Sequence, residues 1–123
     1  MKRKIISLII CVLLLTACGT GYKTITENEA APLIENNAVI IDVRTGAEFA
    51  SGYIDGAINV PVENISFLDG SVSKDAVIIL YCASGMRSME AAKTLVDLGY
   101  TNVYNLDGGL INWGADLVEI RED

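Results

Sequence analysis

The chain has 123 residues and a mass of 13.2 kDa, enough to bury the core of one domain and too little for two. Its formal charge is −7, and three of its nine basic residues precede an apolar run at the N-terminus. The part from residue 18 onward therefore carries six basic and 16 acidic residues, a formal charge of −10. Because phosphate binding needs clustered basic side chains, this composition argues against a binding face for nucleic acid or for an anionic membrane, and no nucleic-acid partner is expected.

The N-terminus has the pattern of an export signal. Three basic residues at positions 2–4 precede an apolar run that ends in small residues. The Leu-Thr-Ala-Cys stretch at positions 15–18 resembles the lipobox of bacterial lipoproteins. This resemblance implies that residues 1–17 are a signal peptide and that Cys18 becomes the acylated first residue of the mature chain.

Two alternatives remain open for this segment: an ordinary secretory signal with an incidental Cys18, and an uncleaved anchor. The apolar run is shorter than the roughly 20 residues that a spanning helix needs. In the lipoprotein interpretation, residues 18–23 form the lipid anchor and a short flexible linker, and residues 24–123 form the domain. Cys82 is then the only free thiol of the mature chain, so the fold depends on a packed core and not on a disulfide.

From Thr24 onward, apolar runs alternate with helical stretches. Thr26 and Glu29 have the spacing of a capping box, which predicts a helix toward Asn37 that Pro32 shortens or kinks. Apolar or β-branched runs predict four strands, at residues 38–43, 57–60, 76–81 and 102–106. Helical segments are predicted at residues 46–50 and 88–98 and from residue 110, with Gly99 closing the second. This alternation predicts an α/β fold with a largely parallel sheet.

The junction at residues 81–88 carries the strongest functional signal. A buried strand ends at Cys82, a five-residue loop turns, and a helix begins near Ser88, so amide groups and the helix dipole should converge on the sulfur. Gly85 supplies a backbone turn that side chains disfavour. With Arg87 nearby, the pKa of the Cys82 thiol should be lowered, which makes it a thiolate nucleophile. The alternative is a structural cysteine at a strand end.

The chain resembles the rhodanese-like family from about Thr24 to Trp113. Three ordered motifs carry the resemblance: residues 42–61, the cysteine loop at residues 81–88, and residues 99–113 with Gly108 and Gly109. The resemblance implies an α/β three-layer sandwich around a parallel sheet. It also implies that Cys82 carries sulfane sulfur as a persulfide.

The same resemblance assigns roles to the other motif residues. The substrate-binding loop consists of Ala83, Ser84, Gly85, Met86 and Arg87. Asp42, Arg44 and Glu48 are expected to form an ion-pair network that fixes the loop after the first long strand. Gly108, Gly109 and Trp113 are expected to pack the last turn near the cysteine loop. Arg87 has two possible roles, binding an anionic sulfur donor or capping the loop through its carbonyls.

Departures from the family pattern bear on the chemistry. Tyr53 stands where the family usually has His, and the chain has no histidine, so cysteine-protease or acyl-transfer chemistry is unsupported. Ala83 and Ser84 are uncharged where some thiosulfate-preferring relatives carry basic residues. Phosphatases of this fold place five residues between Cys and Arg, whereas four separate Cys82 from Arg87. Arsenate reduction usually recruits further thiols, which the mature chain lacks.

The sequence thus predicts a membrane-anchored sulfurtransferase on the outer side of a bacterial cell membrane or in an outer membrane. Its partners are a small sulfur donor such as thiosulfate, a thiol or cyanide acceptor, and the lipid bilayer through acylated Cys18. No metal or organic cofactor is implied, and a monomer is expected. The alternative from another class is a non-catalytic lipoprotein that binds a sulfur compound or a partner.

Overall fold

In a computed structural model, residues 21–120 are described; the predicted signal peptide and Cys18 lie outside them. The described chain forms a five-stranded, all-parallel sheet with the strand order β1-β5-β4-β2-β3. Its strands are β1 (Tyr22–Ile25), β2 (Val39–Asp42), β3 (Ile58–Asn59), β4 (Val77–Tyr81) and β5 (Asn102–Leu106). Its α-helices are α1 (Glu27–Glu35), α2 (Gly46–Ser51) and α3 (Met86–Asp97), and two 3₁₀ helices span Val62–Leu68 and Gly109–Asn112.

The sheet is covered on both faces, because successive side chains of β4 point alternately into two different cores. Ile78, Leu80 and Cys82 point into one core with α3 and the first 3₁₀ helix. Ile79 and Tyr81 point into the other core, which includes residues of α1 and the partly buried Phe49 of α2. Strands buried on both faces have apolar runs without alternation. The predicted three-layer α/β sandwich is therefore confirmed.

The register brings the functional motifs to one edge of the sheet. Asp42 of β2 lies beside Tyr81 of β4, and Leu80 lies beside Asn105 of β5. Parallel strands place their carboxyl ends together, where open α/β sheets bind ligands. The loop after β4 thus lies between the loops that follow β2 and β5.

The structure confirms the predicted starts of α1 and α2. Thr26 caps α1 and accepts from the Glu29 amide, and the Glu29 side chain bonds back, so the predicted capping box is present. The helix continues through Pro32 and ends at Glu35, two residues before the predicted limit at Asn37. The strands predicted around β2, β3, β4 and β5 are all present, with shifts of one residue at some ends.

Three expectations need correction. The sequence predicts a flexible linker at Tyr22 and Lys23, but these residues form half of β1, an edge strand in which only Ile25 is buried, so no apolar run marks it. Residues 63–74, which have no predicted element, include most of a 3₁₀ helix that buries Ile65 and Leu68 at a spacing of three. The final helix is a single 3₁₀ turn, Gly109–Asn112.

Within residues 21–120, no helix is both long and apolar enough to cross a membrane.

Candidate active site

Cys82 follows β4 directly and lies at the sheet edge where the three motifs meet. The turn after it is shorter than predicted, because α3 begins at Met86, two residues before the expected start. Gly85 makes this possible with a φ of +107°, a conformation that L side chains rarely adopt. The result is a three-residue loop, residues 83–85, that leads straight into the N-terminus of α3.

The Cys82 sulfur is buried and faces hydrogen-bond donors. Only 1% of the residue is exposed, the Gly85 amide donates to Sγ at 3.0 Å, and the Ser88 hydroxyl lies 3.5 Å away. Burial raises the pKa of the thiol, but hydrogen bonds from the Ser88 hydroxyl and from the amides of Ser88, Gly85 and Ser84 lower it, and the net pKa is below the ordinary cysteine value. The loop therefore favours a thiolate.

A buried polar pair lies beneath this loop, and sequence reasoning missed it. Ser88 and Asn105 are 0% and 2% exposed, and the Ser88 hydroxyl lies 2.5 Å from Asn105 Oδ1. Asn105 Nδ2 in turn donates to Thr24 Oγ1 at 3.5 Å. One signal could have revealed the pair: Asn105 is a polar residue on the same face of β5 as buried Val103. The Ser88 hydroxyl has a single proton and three acceptors within reach: Asn105 Oδ1, the Gly85 carbonyl at 3.1 Å and the Cys82 sulfur.

The loop after β5 holds the backbone of the cysteine loop from the other side. Leu110 and Ile111 donate their amides to the carbonyls of Cys82 and Ala83, at 3.0 and 3.2 Å. Gly109, at φ +57°, passes so close that a Cβ built on it would lie 2.3 Å from the Cys82 oxygen. These two hydrogen bonds hold in place the backbone of the loop whose amides bind the sulfur. Trp113, by contrast, packs in the core on the opposite face of the sheet.

The expected network of Asp42, Arg44 and Glu48 does not form as one unit: Asp42 pairs with Arg44, whereas Glu48 pairs with a residue outside the expected set. The buried Arg44 donates from Nε and Nη2 to the Asp42 carboxylate, with the shortest contact at 2.6 Å, and Nη2 also donates to the Gly52 carbonyl at 2.6 Å. Asn59 Nδ2 donates to the carbonyls of Asp42 and Arg44. This pair fixes the chain that follows β2.

Glu48 pairs with Arg87. Nη1 and Nη2 of Arg87 donate to Oε1 and Oε2 of Glu48 at 2.8 and 3.1 Å, a bidentate contact. Glu48 also completes the capping box of α2, since its Oε1 accepts from the amide and hydroxyl of Thr45 at 3.1 Å each. Hydrogen bonds from Arg87, first, and from Thr45 lower the pKa of Glu48 to about 2. The structure thus places the Arg87 guanidinium on a carboxylate, an arrangement that neither sequence interpretation included.

Tyr53, which replaces the family's usual His, belongs to the other face of the sheet. Its ring stacks on Phe49 with centroids 4.1 Å apart, and its backbone pairs with Val118. The Tyr53 side chain therefore contributes to packing on that face. Among residues 21–120, no group of three or more His, Cys, Asp or Glu side chains is close enough to hold a metal ion.

Fold and site together define an α/β protein with a thiolate-stabilising loop at the carboxyl edge of a parallel sheet. Residues 26–116 match the family of the Rhodanese-like domain, and the chain belongs to that family, as its motifs predicted.

Relatives of similar size include proteins named as sulfurtransferases. The chain is 35% identical over 95 residues to the thiosulfate sulfurtransferase GlpE of Shewanella oneidensis, an alignment that covers 76% of this chain and 94% of that protein. It is 39% identical over 77 residues to a sulfurtransferase of Allochromatium vinosum, covering 63% and 72% of the two chains. Among solved structures, a rhodanese-like domain protein from Staphylococcus aureus is similar with a TM-score of 0.71 at 31% identity, covering 80% of this chain and 99% of that one.

Proposed function

We propose that this protein is a sulfurtransferase that carries sulfane sulfur as a persulfide on Cys82. The observation that carries the proposal is the Gly85 amide 3.0 Å from a buried sulfur whose pKa is lowered by hydrogen bonds. A persulfide anion needs the same stabilisation as an oxyanion, which is a set of fixed donors in a water-excluded site. Relatives named thiosulfate sulfurtransferase support the same chemistry.

The reaction has two steps. The Cys82 thiolate attacks the outer sulfur of a donor such as thiosulfate, the sulfur–sulfur bond of the donor breaks, and sulfite leaves with the electron pair. A nucleophilic acceptor, a thiol or cyanide, then takes the outer sulfur and releases the Cys82 thiolate. The amides of the loop from Ala83 to Arg87 hold the persulfide between the two steps. No imidazole base is required, because hydrogen bonds of the loop lower the pKa of the Cys82 thiol and so favour the thiolate.

Mass spectrometry of the intact protein after exposure to a sulfane donor tests this proposal. The mass should increase by one sulfur atom, the gain should be reversed by cyanide or dithiothreitol, and Cys82→Ser should abolish it. An unchanged mass with several donors would favour the non-catalytic binding protein. Hydrolysis of aryl phosphates that disappears in Cys82→Ser would favour a phosphatase instead.

We also propose that the mature protein is held on the outer side of a bacterial membrane through acylated Cys18. The support is the sequence around positions 15–18 together with the formal charge of −10, which leaves no electrostatic route to an anionic bilayer. Cys18→Ser should release the protein from the membrane fraction or leave it as an uncleaved precursor, with sulfur loading of Cys82 unchanged. A normally processed Cys18→Ser protein that still sediments with membranes at high salt would contradict the anchor.

A further inference from the structure

The charges around the cysteine loop are paired within the protein. Arg87 is the only basic residue of the stretch from Ala83 to Ser88, and its guanidinium is bound bidentately by Glu48. Arg44, the next guanidinium at this edge, is bound by Asp42. Each cation is thus offset by a carboxylate. An anionic donor that approaches Cys82 meets no unpaired cation from these two residues.

The Glu48 carboxylate is fixed in place and stays ionised. Its Oε1 is held by the amide and hydroxyl of Thr45 as part of the cap of α2, so the carboxylate cannot turn away without losing that cap. Its pKa of about 2 means that protonation does not release Arg87 at physiological pH. A donor must therefore compete with Glu48 for the guanidinium, and a dianion is repelled more strongly than a monoanion.

Two of the exposed side chains next to the loop are large and apolar. Met86 opens α3 directly after the loop and is 79% exposed, and Ile111, whose amide binds the Ala83 carbonyl, is 76% exposed. Ala83 and Ser84 add no charge. Apolar side chains this exposed beside a reactive group offer contact area to an organic substituent.

We propose that Glu48 is a specificity-determining residue. Its carboxylate makes the site prefer organic sulfane-sulfur donors, which carry at most one negative charge, to thiosulfate, which is a dianion. This inference rests on the proposed sulfurtransferase function. For an organic persulfide, the Cys82 thiolate attacks the outer sulfur, the donor's sulfur–sulfur bond breaks, and the leaving thiolate takes up the proton of the outer sulfur. The products are the Cys82 persulfide anion and a thiol, so the step needs no oxidant.

Three thiosulfonate-type donors separate charge from apolar contact. Thiosulfate is a dianion, whereas methanethiosulfonate and benzenethiosulfonate are monoanions that transfer the same outer sulfur, the second with an apolar ring. In the wild-type full-length protein, kcat/KM should rise from thiosulfate to methanethiosulfonate to benzenethiosulfonate. Glu48→Gln keeps a side chain that suits the capping box but removes the charge. It should raise kcat/KM about tenfold for thiosulfate and about threefold for the monoanions, because repulsion scales with donor charge.

The chain supplies a matched control. Glu29 occupies the same position in the capping box of α1 and bonds Thr26, so Glu29→Gln makes the same change in charge and cap without altering the Glu48–Arg87 pair. It should leave all three kcat/KM values within about twofold. A second variant, Met86→Lys, adds a cation at an exposed position and should favour thiosulfate selectively.

The outcomes are distinguishable. If Glu48→Gln alters the three donors equally or lowers the thiosulfate rate, or if wild type prefers thiosulfate, the assignment of Glu48 is wrong while the sulfurtransferase remains. If no donor adds sulfur to Cys82 in wild type, the proposed function itself fails. Unfolding midpoints of both Gln variants, measured in parallel, separate a loss of the cap from a change in specificity.

Discussion

The close approach of Gly109 to the cysteine loop predicts a large effect of one added methyl group. In Gly109→Ala, the new Cβ would lie 2.3 Å from the Cys82 oxygen and 2.9 Å from the carbonyl carbon of Ala83, both of them backbone atoms. One of the two loops must move by about 1 Å to restore van der Waals separation. The movement breaks the hydrogen bonds from Leu110 and Ile111 to the cysteine loop.

The expected cost has two parts. Two lost hydrogen bonds contribute about 1 kcal/mol each, and a side chain at φ +57° contributes about 1 kcal/mol more, so unfolding should become easier by about 3 kcal/mol. For a domain of this size, this lowers the melting temperature by roughly 12–24 °C. Gly99→Ala is the matched control, since Gly99 has φ +99° and no atom lies within 4 Å of the methyl group that alanine would add there, so only the backbone cost of about 1 kcal/mol applies.

Thermal and urea unfolding of the two variants measure the loss of stability. Sulfur loading of Cys82, followed well below the melting temperature, measures the effect on the site. Gly109→Ala should also load sulfur more slowly than Gly99→Ala at equal folded fraction, because the amides around the sulfur lose their alignment. If the two variants were equally stable and equally active, the conclusion that the loop after β5 holds the backbone of the cysteine loop would be refuted.

Other predictions concern the thiol and the buried pairs. Ser88→Ala removes a hydrogen bond that lowers the pKa of Cys82, so the thiolate absorbance at 240 nm, corrected with Cys82→Ser, should appear at higher pH and sulfur loading at neutral pH should fall severalfold. Because the pKa of Cys82 is lower in the folded than in the unfolded state, the thiolate should contribute fully to stability above the unfolded-state pKa. This contribution should be lost as the pH falls through the folded-state pKa. Urea unfolding should show this pH dependence of the free energy of unfolding in the wild type and not in Cys82→Ser. Asp42→Asn leaves the buried Arg44 unpaired and should cost about 3–5 kcal/mol in urea unfolding, whereas a cost below 1 kcal/mol would show that the pair is dispensable. Thr45→Ala should cost about 1 kcal/mol through the lost cap of α2.

The fold could be predicted from the sequence wherever one element carried its own signal. The runs that became β2, β4 and β5 are apolar along their length because both faces of the sheet are covered. The cap at Thr26 needs only residues three positions apart. By contrast, β1 is stabilised by pairing with β5, some 80 residues away along the chain, and its own four residues bury only Ile25. No local pattern contains that information.

The same difference between local signals and long-range contacts explains which parts of the candidate site could be predicted from the sequence. Cys82 and Gly85 could be found because a strand, a turn and a helix start follow one another in a short stretch. The partner of Arg87 could not, because Glu48 lies 39 residues away and Arg44 was an equally reasonable choice for its carboxylate. Which guanidinium Glu48 binds depends on how the starts of α2 and α3, which cover opposite faces of the sheet, meet at its carboxyl edge, and this placement is a property of the packed sheet.

The pairing of Glu48 with Arg87 links the stability of the scaffold to the chemistry of the site. A carboxylate that only capped α2 would have no bearing on sulfur transfer, and one that only paired with Arg87 could swing away when a donor arrived. Glu48 does both, with Thr45 holding one of the two oxygens that Arg87 binds. The cap therefore keeps the carboxylate in place beside the guanidinium. The hydrogen bonds that lower the pKa of the Cys82 thiol come from Ser88 and loop amides, which are neutral dipoles, while the Arg87 guanidinium is already bound to a carboxylate.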